Sequence, residues 1–263
     1  MNVPSEVVEA VKNNKCIILL GSRFAGEAAE MAGKPYPEAK DLAKSLGWKK
    51  PKAVMGQKAK AVIPSVEEGA AGYAAANGRA ALVKLLQAEI GCDGVAPTEA
   101  HRGALRRFPI LLTTCCDDLL ERAAAEMGVT LDVIDRGQKI PDPDPARRTL
   151  LKLKGSLSRP ETLVLTADDY KARAFSPEVR KQLRSLIRSY VVLFVGFRPD
   201  EEEFEHLFVE LSDAYGGELP RCHLAVAQGP IDDYLWQKWV WRGLLMFTAD
   251  PTETLKALES QIP

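Results

Sequence analysis

The stretch Lys15-Cys16-Ile17-Ile18-Leu19-Leu20-Gly21-Ser22-Arg23-Phe24-Ala25-Gly26 decides the fold. Cys16–Leu20 is an unbroken apolar run. A strand of that kind is buried on both faces, as in a parallel sheet covered by helices. Gly21 and Ser22 break the run, and Ala25–Ala32 then reads as a helix. The same alternation recurs downstream. Ile110–Thr113 leads into a helix over Asp117–Met127, and Leu131–Ile134 and Leu151–Lys154 read as third and fourth strands. Val191–Val195 ends at Gly196 before a helix over Asp200–Ser212, and Leu224–Ala227 and Leu244–Phe247 complete the set. Ser5–Lys12 and Thr252–Gln261 read as the first and last helices. Strands and helices in this order imply an α/β chain with a Rossmann-like parallel sheet. Ligands of such sheets sit beyond the carboxyl ends of the strands, so the places to look follow Leu20, Thr113, Lys154 and Val195.

Val66–Ile90 and Thr98–Arg106 read as helices with no strand between them. Residues 34–108 are therefore expected to form a helical insertion or cap within one domain spanning residues 1–263. The segment Trp48–Lys60 carries Lys49, Lys50, Lys52, Lys58 and Lys60, and it reads either as a solvated loop or as a basic patch for phosphate or nucleic acid. Gly137–Arg147 is a loop, because each proline of its Asp-Pro-Asp-Pro run extends the residue before it.

Composition narrows the class. Of 263 residues, 46% are hydrophobic and 27% charged, ordinary values for a globular chain. Thirty-five basic and 36 acidic residues nearly cancel, which gives no reason to expect nucleic acid or an anionic membrane as the main partner. The five cysteines are odd in number and lack C-x-x-C spacing, which argues against a disulfide framework and a four-cysteine zinc site. No apolar run approaches the ~18 residues of a membrane span, and the polar N-terminus lacks a signal-peptide core. Cytoplasm is the expected compartment.

The turns after the strands hold the candidate chemistry. After the first strand, Gly21, Ser22 and Arg23 precede a helix whose free N–H groups suit an anion, but Arg23 stands where a full G-x-G-x-x-G fingerprint needs glycine. A ligand-free turn explains the same residues. After the second strand come Thr113, Thr114, Cys115, Cys116 and Asp117, and Asp117 suits a helix cap. Lys154, Gly155 and Ser156 follow the fourth strand, and Thr166 with Asp169 forms a capping-box pattern. Gly196, Phe197 and Asp200 follow the fifth. Here Gly196 permits close backbone approach to a ligand, and Asp200 reads as a cap. Cys222 and His223 read as packing or as part of a metal site. Trp236, Trp239 and Trp241 read as core or as a contact surface.

Together, in this order, the segments resemble the sirtuin-like (SIR2-like) domains of prokaryotic immune proteins. The family's G-A-G-x-S turn is similar to Gly21–Ala25, T-T-N-Y-D-x-L-[LI]-E to Thr113–Glu121, and K-[IL]-H-G-S to Lys152–Ser156. V-L-T-x-x-D-Y is similar to Val164–Tyr170, and a Phe-aliphatic-Gly-aromatic run followed by aspartate to Phe194–Asp200. Pro97, Thr98, His101 and Arg102 also resemble the stretch before the second strand, so the likeness runs from about residue 13 to about residue 250.

In active relatives the resemblance implies cleavage of the nicotinamide–ribose bond of NAD, with an asparagine placing the ribose or water and a histidine as base. Cys115 stands at the asparagine's position and Lys154 at the histidine's. An unperturbed lysine (pKa about 10.4) stays protonated and would repel positive charge developing on the ribose. A thiolate at Cys115 wants an activating partner. The resemblance thus implies a catalytically degenerate domain. Its cofactor-binding positions would be Gly21, Ser22, Arg23, Thr113, Thr114, Asp117, Gly155, Gly196, Phe197 and Asp200, taking NAD or ADP-ribose without zinc. It further implies an assembly or nucleotide-binding role in an antiphage defence complex, with other subunits or copies of itself as partners. An active hydrolase using altered residues, and a purely structural domain with a filled pocket, remain the alternatives. The chain ends soon after the last motif, which leaves a stand-alone subunit and a piece of a longer protein both open.

Overall fold

The computed structural model describes residues 3–47, 65–142, 144, 146–172, 175–217, 219, 222–226 and 231–262. The lysine-rich segment Trp48–Lys60 lies outside the described residues. Seven strands form one sheet: β1 (Cys16–Leu20), β2 (Ile110–Thr113), β3 (Leu131–Asp135), β4 (Arg148–Lys152), β5 (Val191–Phe197), β6 (Cys222–Val226) and β7 (Leu244–Thr248). Their order is β3-β4-β2-β1-β5-β6-β7 and every pairing is parallel. From β1 the chain adds β2 beside it, then β3 at the far edge, and then β4 between β2 and β3. It then crosses back to β5 on the other side, so the topological switch point lies between β1 and β5.

The helices are α1 (Ser5–Lys12), α2 (Ser22–Met31), α3 (Ala39–Ser45), α4 (Val66–Asn77), α5 (Arg79–Ile90) and α6 (Glu99–Arg107). They continue with α7 (Leu119–Met127), α8 (Ala167–Ala172), α9 (Pro177–Ser189), α10 (Glu202–Tyr215), α11 (Asp233–Trp241) and α12 (Pro251–Gln261). Alternate residues of β1 serve opposite layers. Cys16, Ile18 and Leu20 face a core built with α1, α2, α6, α7 and α12, whereas Ile17 and Leu19 face α9, α10 and α11. That two-sided burial is why the strand tolerates no polar residue. A third cluster joins Leu42 of α3, Leu46 just after it, Ala70 of α4 and Leu82, Val83 and Leu86 of α5 to Cys116, Leu157 and Leu163, so these helices lie over the segments that leave β2 and β4. Helix α6 instead contributes Ala100, Ala104 and Leu105 to the layer against the sheet. No helix of the described residues is long and apolar enough to cross a membrane.

Several boundaries differ from those the sequence suggests. Strand β4 is Arg148–Lys152, not Leu151–Lys154: Thr149 is buried in the ladder opposite Ile110, and Lys152 is the last paired residue, after which only the Leu153 N–H still reaches the Thr113 carbonyl. Strand β5 continues through Gly196 to Phe197. Gly196 takes φ 78°, and the register with β6 slips there. The bulge turns Phe197 onto the face of Val192 and Phe194, opposite to the one that strict alternation would give it. Helix α2 starts at Ser22, three residues before the expected Ala25, with no side-chain cap. Helix α10 starts at Glu202; Asp200 does not cap it, because both its carboxylate oxygens bond the Arg198 guanidinium at 3.0 Å.

Candidate functional site

The switch-point crevice is floored by two turns that touch. The Gly21 N–H donates to the Val195 carbonyl at 2.9 Å, and a Cβ on Gly21 would lie 2.5 Å from the Gly196 oxygen and 2.7 Å from the Phe197 ring. A Cβ on Gly196 would lie 2.9 Å from the Phe24 nitrogen. Both glycines are therefore required by the fold's own backbone. Gly155, at φ 75°, is hemmed in likewise, with the Thr162 carbonyl 2.3 Å from where its Cβ would stand. Phe197 is fully buried among Phe194 and Phe204 and presents no surface to the crevice.

What the turns leave open is polar. The first N–H groups of α2, at Ser22 and Arg23, have no intrahelical partner by helix geometry, and no side chain caps them. Arg23 is part-exposed and reaches Glu30 only at 3.7 Å. Thr113 is spent on the fold: its hydroxyl donates to the Leu20 carbonyl at 3.1 Å and accepts the Cys115 N–H at 3.0 Å. Thr114 Oγ1 and Asp117 Oδ2 are buried without a partner, while Asp117 Oδ1 accepts the N–H of Leu119, the first residue of α7, at 2.9 Å; the cap position itself falls to Asp118, because α7 starts two residues later than the sequence suggests. Burial raises the Asp117 carboxyl above its ordinary range.

Cys115 is buried, and its Sγ donates to the Gly21 carbonyl at 3.2 Å. Burial, reinforced by Asp117, pushes its pKa well above that of a free thiol, so it stays protonated. Cys116 faces the helical cluster, and burial raises its pKa to about 11. Lys154 is mostly enclosed, with 16% of its side chain exposed. Its Nζ lies 2.7 Å from Glu203 and 3.4 Å from Glu67. Burial works against its charge, but Glu203, Tyr170 and Glu67 outweigh that and hold its pKa well above the ordinary lysine value. Nearby Glu201 is shifted up to about 7, by burial and then by repulsion from Glu203. At neutral pH Cys115 is thus a thiol and Lys154 an ammonium.

Some participants are invisible in local sequence. Glu67 and Glu203, 87 and 49 positions from Lys154, are brought to it only by the packing of α4 and α10. Lys152 is 1% exposed and bonds Glu121 at 2.8 Å and the Asp117 carbonyl, which fixes the post-β2 turn. Its place in the Lys-Leu-Lys-Gly-Ser motif is the one signal that could have found it. The tryptophans divide: Trp239 is fully buried and donates to the Pro199 carbonyl at 2.8 Å, whereas Trp241 is 74% exposed. His223 is buried against Glu6 at 3.2 Å, and among the described residues no group of three His, Cys, Asp or Glu side chains could hold a metal.

The SIR2-like domain family matches residues 109–242, a span of half the chain. The chain belongs to the SIR2-like domain family. No curated protein sequence matches it. The fold of this SIR2-like domain is similar to a Sir2 homologue in complex with NAD, with a TM-score of 0.53 at 13% identity over 99% of this chain and 94% of that one. It is similar to a mutant Sir2 homologue in complex with ADP-ribose, with a TM-score of 0.51 at 12% identity over 99% and 95%. It also matches a structure described as the basis for the mechanism and regulation of Sir2 enzymes, with a TM-score of 0.50 at 12% identity over 99% and 98%. At these identities the likeness establishes the fold. The SIR2-like domain thus has the Sir2 Rossmann-like sheet, and the Cys115 and Lys154 turns follow β2 and β4 of it.

Proposed function

We propose that this SIR2-like domain is a catalytically degenerate module that takes an NAD-type nucleotide, NAD or ADP-ribose, without breaking it. The observation that carries the reading is the state of two side chains. Lys154 is an ammonium held by two carboxylates where the family has its base, and Cys115 is a neutral thiol bonded to Gly21 where the family has its asparagine. A base needs a free lone pair near neutral pH, and neither group has one. Binding is supported separately. The orphaned Thr114 hydroxyl and Asp117 oxygen, with the uncapped N–H groups of α2 and the adjacent Arg23, fit a ribose and a pyrophosphate. Ser22, Arg23, Thr114 and Asp117 are the residues that would hold it, and NAD, unlike ADP-ribose, would bring a labile nicotinamide–ribose bond to the crevice.

The motif resemblance supports a setting in bacterial antiphage defence, with cytoplasmic partners. The exposed Tyr234 and Trp241 on α11 support contact with another subunit or a second copy. A purely structural domain with a filled cleft is favoured by the closed ion triad at Lys154. Calorimetry with NAD and with ADP-ribose separates these readings. We expect saturable heat at micromolar to submillimolar nucleotide, weakened about tenfold or more in Arg23→Ala. Absence of heat with both nucleotides favours the filled cleft.

A further inference from the structure

We propose that Lys154 is an internal ionic latch that closes the α3–α5 cap over the crevice. The Lys154 ammonium reaches Glu67 of α4, in the cap, and Glu203 of α10, in the layer on the sheet, at 3.4 and 2.7 Å. It thereby ties three separate parts of the chain at one atom: the turn after β4, the cap and α10. All three side chains are mostly enclosed, with 16%, 18% and 23% of their surfaces exposed.

The other polar ties of the cap run elsewhere. Arg79 of α5 bonds Asp169 at 2.9 Å and the Leu163 carbonyl at 2.8 Å, and Gln87 bonds the Leu157 carbonyl at 3.2 Å. These anchor α5 to α8 and to the segment between β4 and α8, and none of them involves α10. They hold α5 without engaging α10, and Lys154 acts as the clasp that ties α4 to α10. The clasp sits beside the buried Cys116–Leu163 cluster, so α4 cannot lift without either stripping Lys154 of Glu67 or pulling Lys154 away from Glu203. The first route costs the Lys154–Glu67 attraction, and the second leaves Glu203 without its ammonium; both oppose opening.

A lysine suits this task better than the histidine of active relatives would. Its long stem reaches both carboxylates, and its charge is permanent across physiological pH. The latch itself needs no ligand. That it governs access of a nucleotide rests on the binding reading above.

Hydrogen–deuterium exchange of the full chain, without nucleotide, tests the latch. Glu67→Gln cuts the cap side only and leaves the Lys154–Glu203 pair intact. Exchange of α4 and α5 is expected to rise about tenfold, while α9, on the opposite layer, keeps its wild-type rate. Lys154→Met, which retains the stem but leaves two facing carboxylates, is expected to raise exchange further. Unchanged α4 exchange in Glu67→Gln, with an unaltered melting temperature, overturns the latch. If Lys154→Met fails to fold, Glu67→Gln still decides. Nucleotide association measured on the same variants separates the two ideas. Faster association in Glu67→Gln supports the latch as a gate. Raised α4 exchange with no nucleotide bound by either protein keeps the latch and removes the binding reading.

Discussion

The floor and the wall of the crevice are built on different principles. The floor is backbone: Gly21, Gly196 and Gly155 are fixed by contacts to the chain's own carbonyls and rings at 2.3 to 2.9 Å from where a Cβ would stand. The wall is charge: Lys154, Glu67, Glu203 and Glu201, with the neutral Cys115 thiol beneath. A fold constrains its floor whether or not the site does chemistry, because a methyl group there has nowhere to go. The wall is free to change, since side chains can be exchanged as long as charges remain paired. A SIR2-like floor can therefore coexist with a wall of Lys154, Glu67 and Glu203, and glycine motifs alone identify the fold and not the reaction.

The largest effect that would sharpen this contrast is at the floor. Gly155→Ala must adopt a positive φ and push the Thr162 carbonyl aside. The expected loss is about 4 kcal/mol in urea unfolding. A loss under about 1 kcal/mol would break the distinction, because the glycine would then be free for a ligand.

Next comes His101, buried behind the floor against Phe24, with Nδ1 accepting the Thr98 N–H at 3.2 Å. Burial, with Arg102 and Arg122, lowers its pKa to about 3. A folded-state pKa below the unfolded 6.5 means that its contribution is present above pH 6.5 and lost as pH falls toward 3. The expected loss is up to about 4 kcal/mol. Acid titration of the melting temperature should show a shallower decline in His101→Gln.

Among the charges, Lys152→Met leaves Glu121 and the Asp117 carbonyl without their ammonium. It is expected to cost about 2 kcal/mol in urea unfolding, with the sheet intact by circular dichroism. Glu201 carries a smaller and opposite pH signature. Its folded pKa of about 7 exceeds the carboxyl's usual 4.5, so its contribution is present below pH 4.5 and lost as pH rises through 7. Relative to wild type, Glu201→Gln should gain stability between pH 5 and pH 8. The smallest effect belongs to Asp200→Asn, at the exposed Arg198 pair, expected within about 0.5 kcal/mol of wild type by the same unfolding measurement.

Much of the floor was legible in the chain. Cys16–Leu20, Ile110–Thr113 and the start of β5 at Val191 follow from uninterrupted apolar runs, and the turn at Gly21 follows from the glycine that ends the first. What local reading misplaced has physical causes. The polar start of β4 is concealed because Thr149 is buried while Arg148 donates to the Leu105 carbonyl at 2.7 Å. The glycine in β5 is a bulge and not a stop, which only pairing with β6 determines. The wall was legible by position, through the segments that resemble the family, but not by state. Nothing in Lys-Leu-Lys-Gly-Ser says that Lys154 meets Glu67 and Glu203, because helix packing makes that encounter.

Nicotinamide release from NAD by the purified wild-type chain bears most directly on the proposal that this domain does not break the nucleotide. Followed by liquid chromatography over several hours near pH 7.5, release should match a protein-free blank. Release proportional to protein, abolished by heat and lost in Cys115→Ala or Lys154→Met, would contradict it.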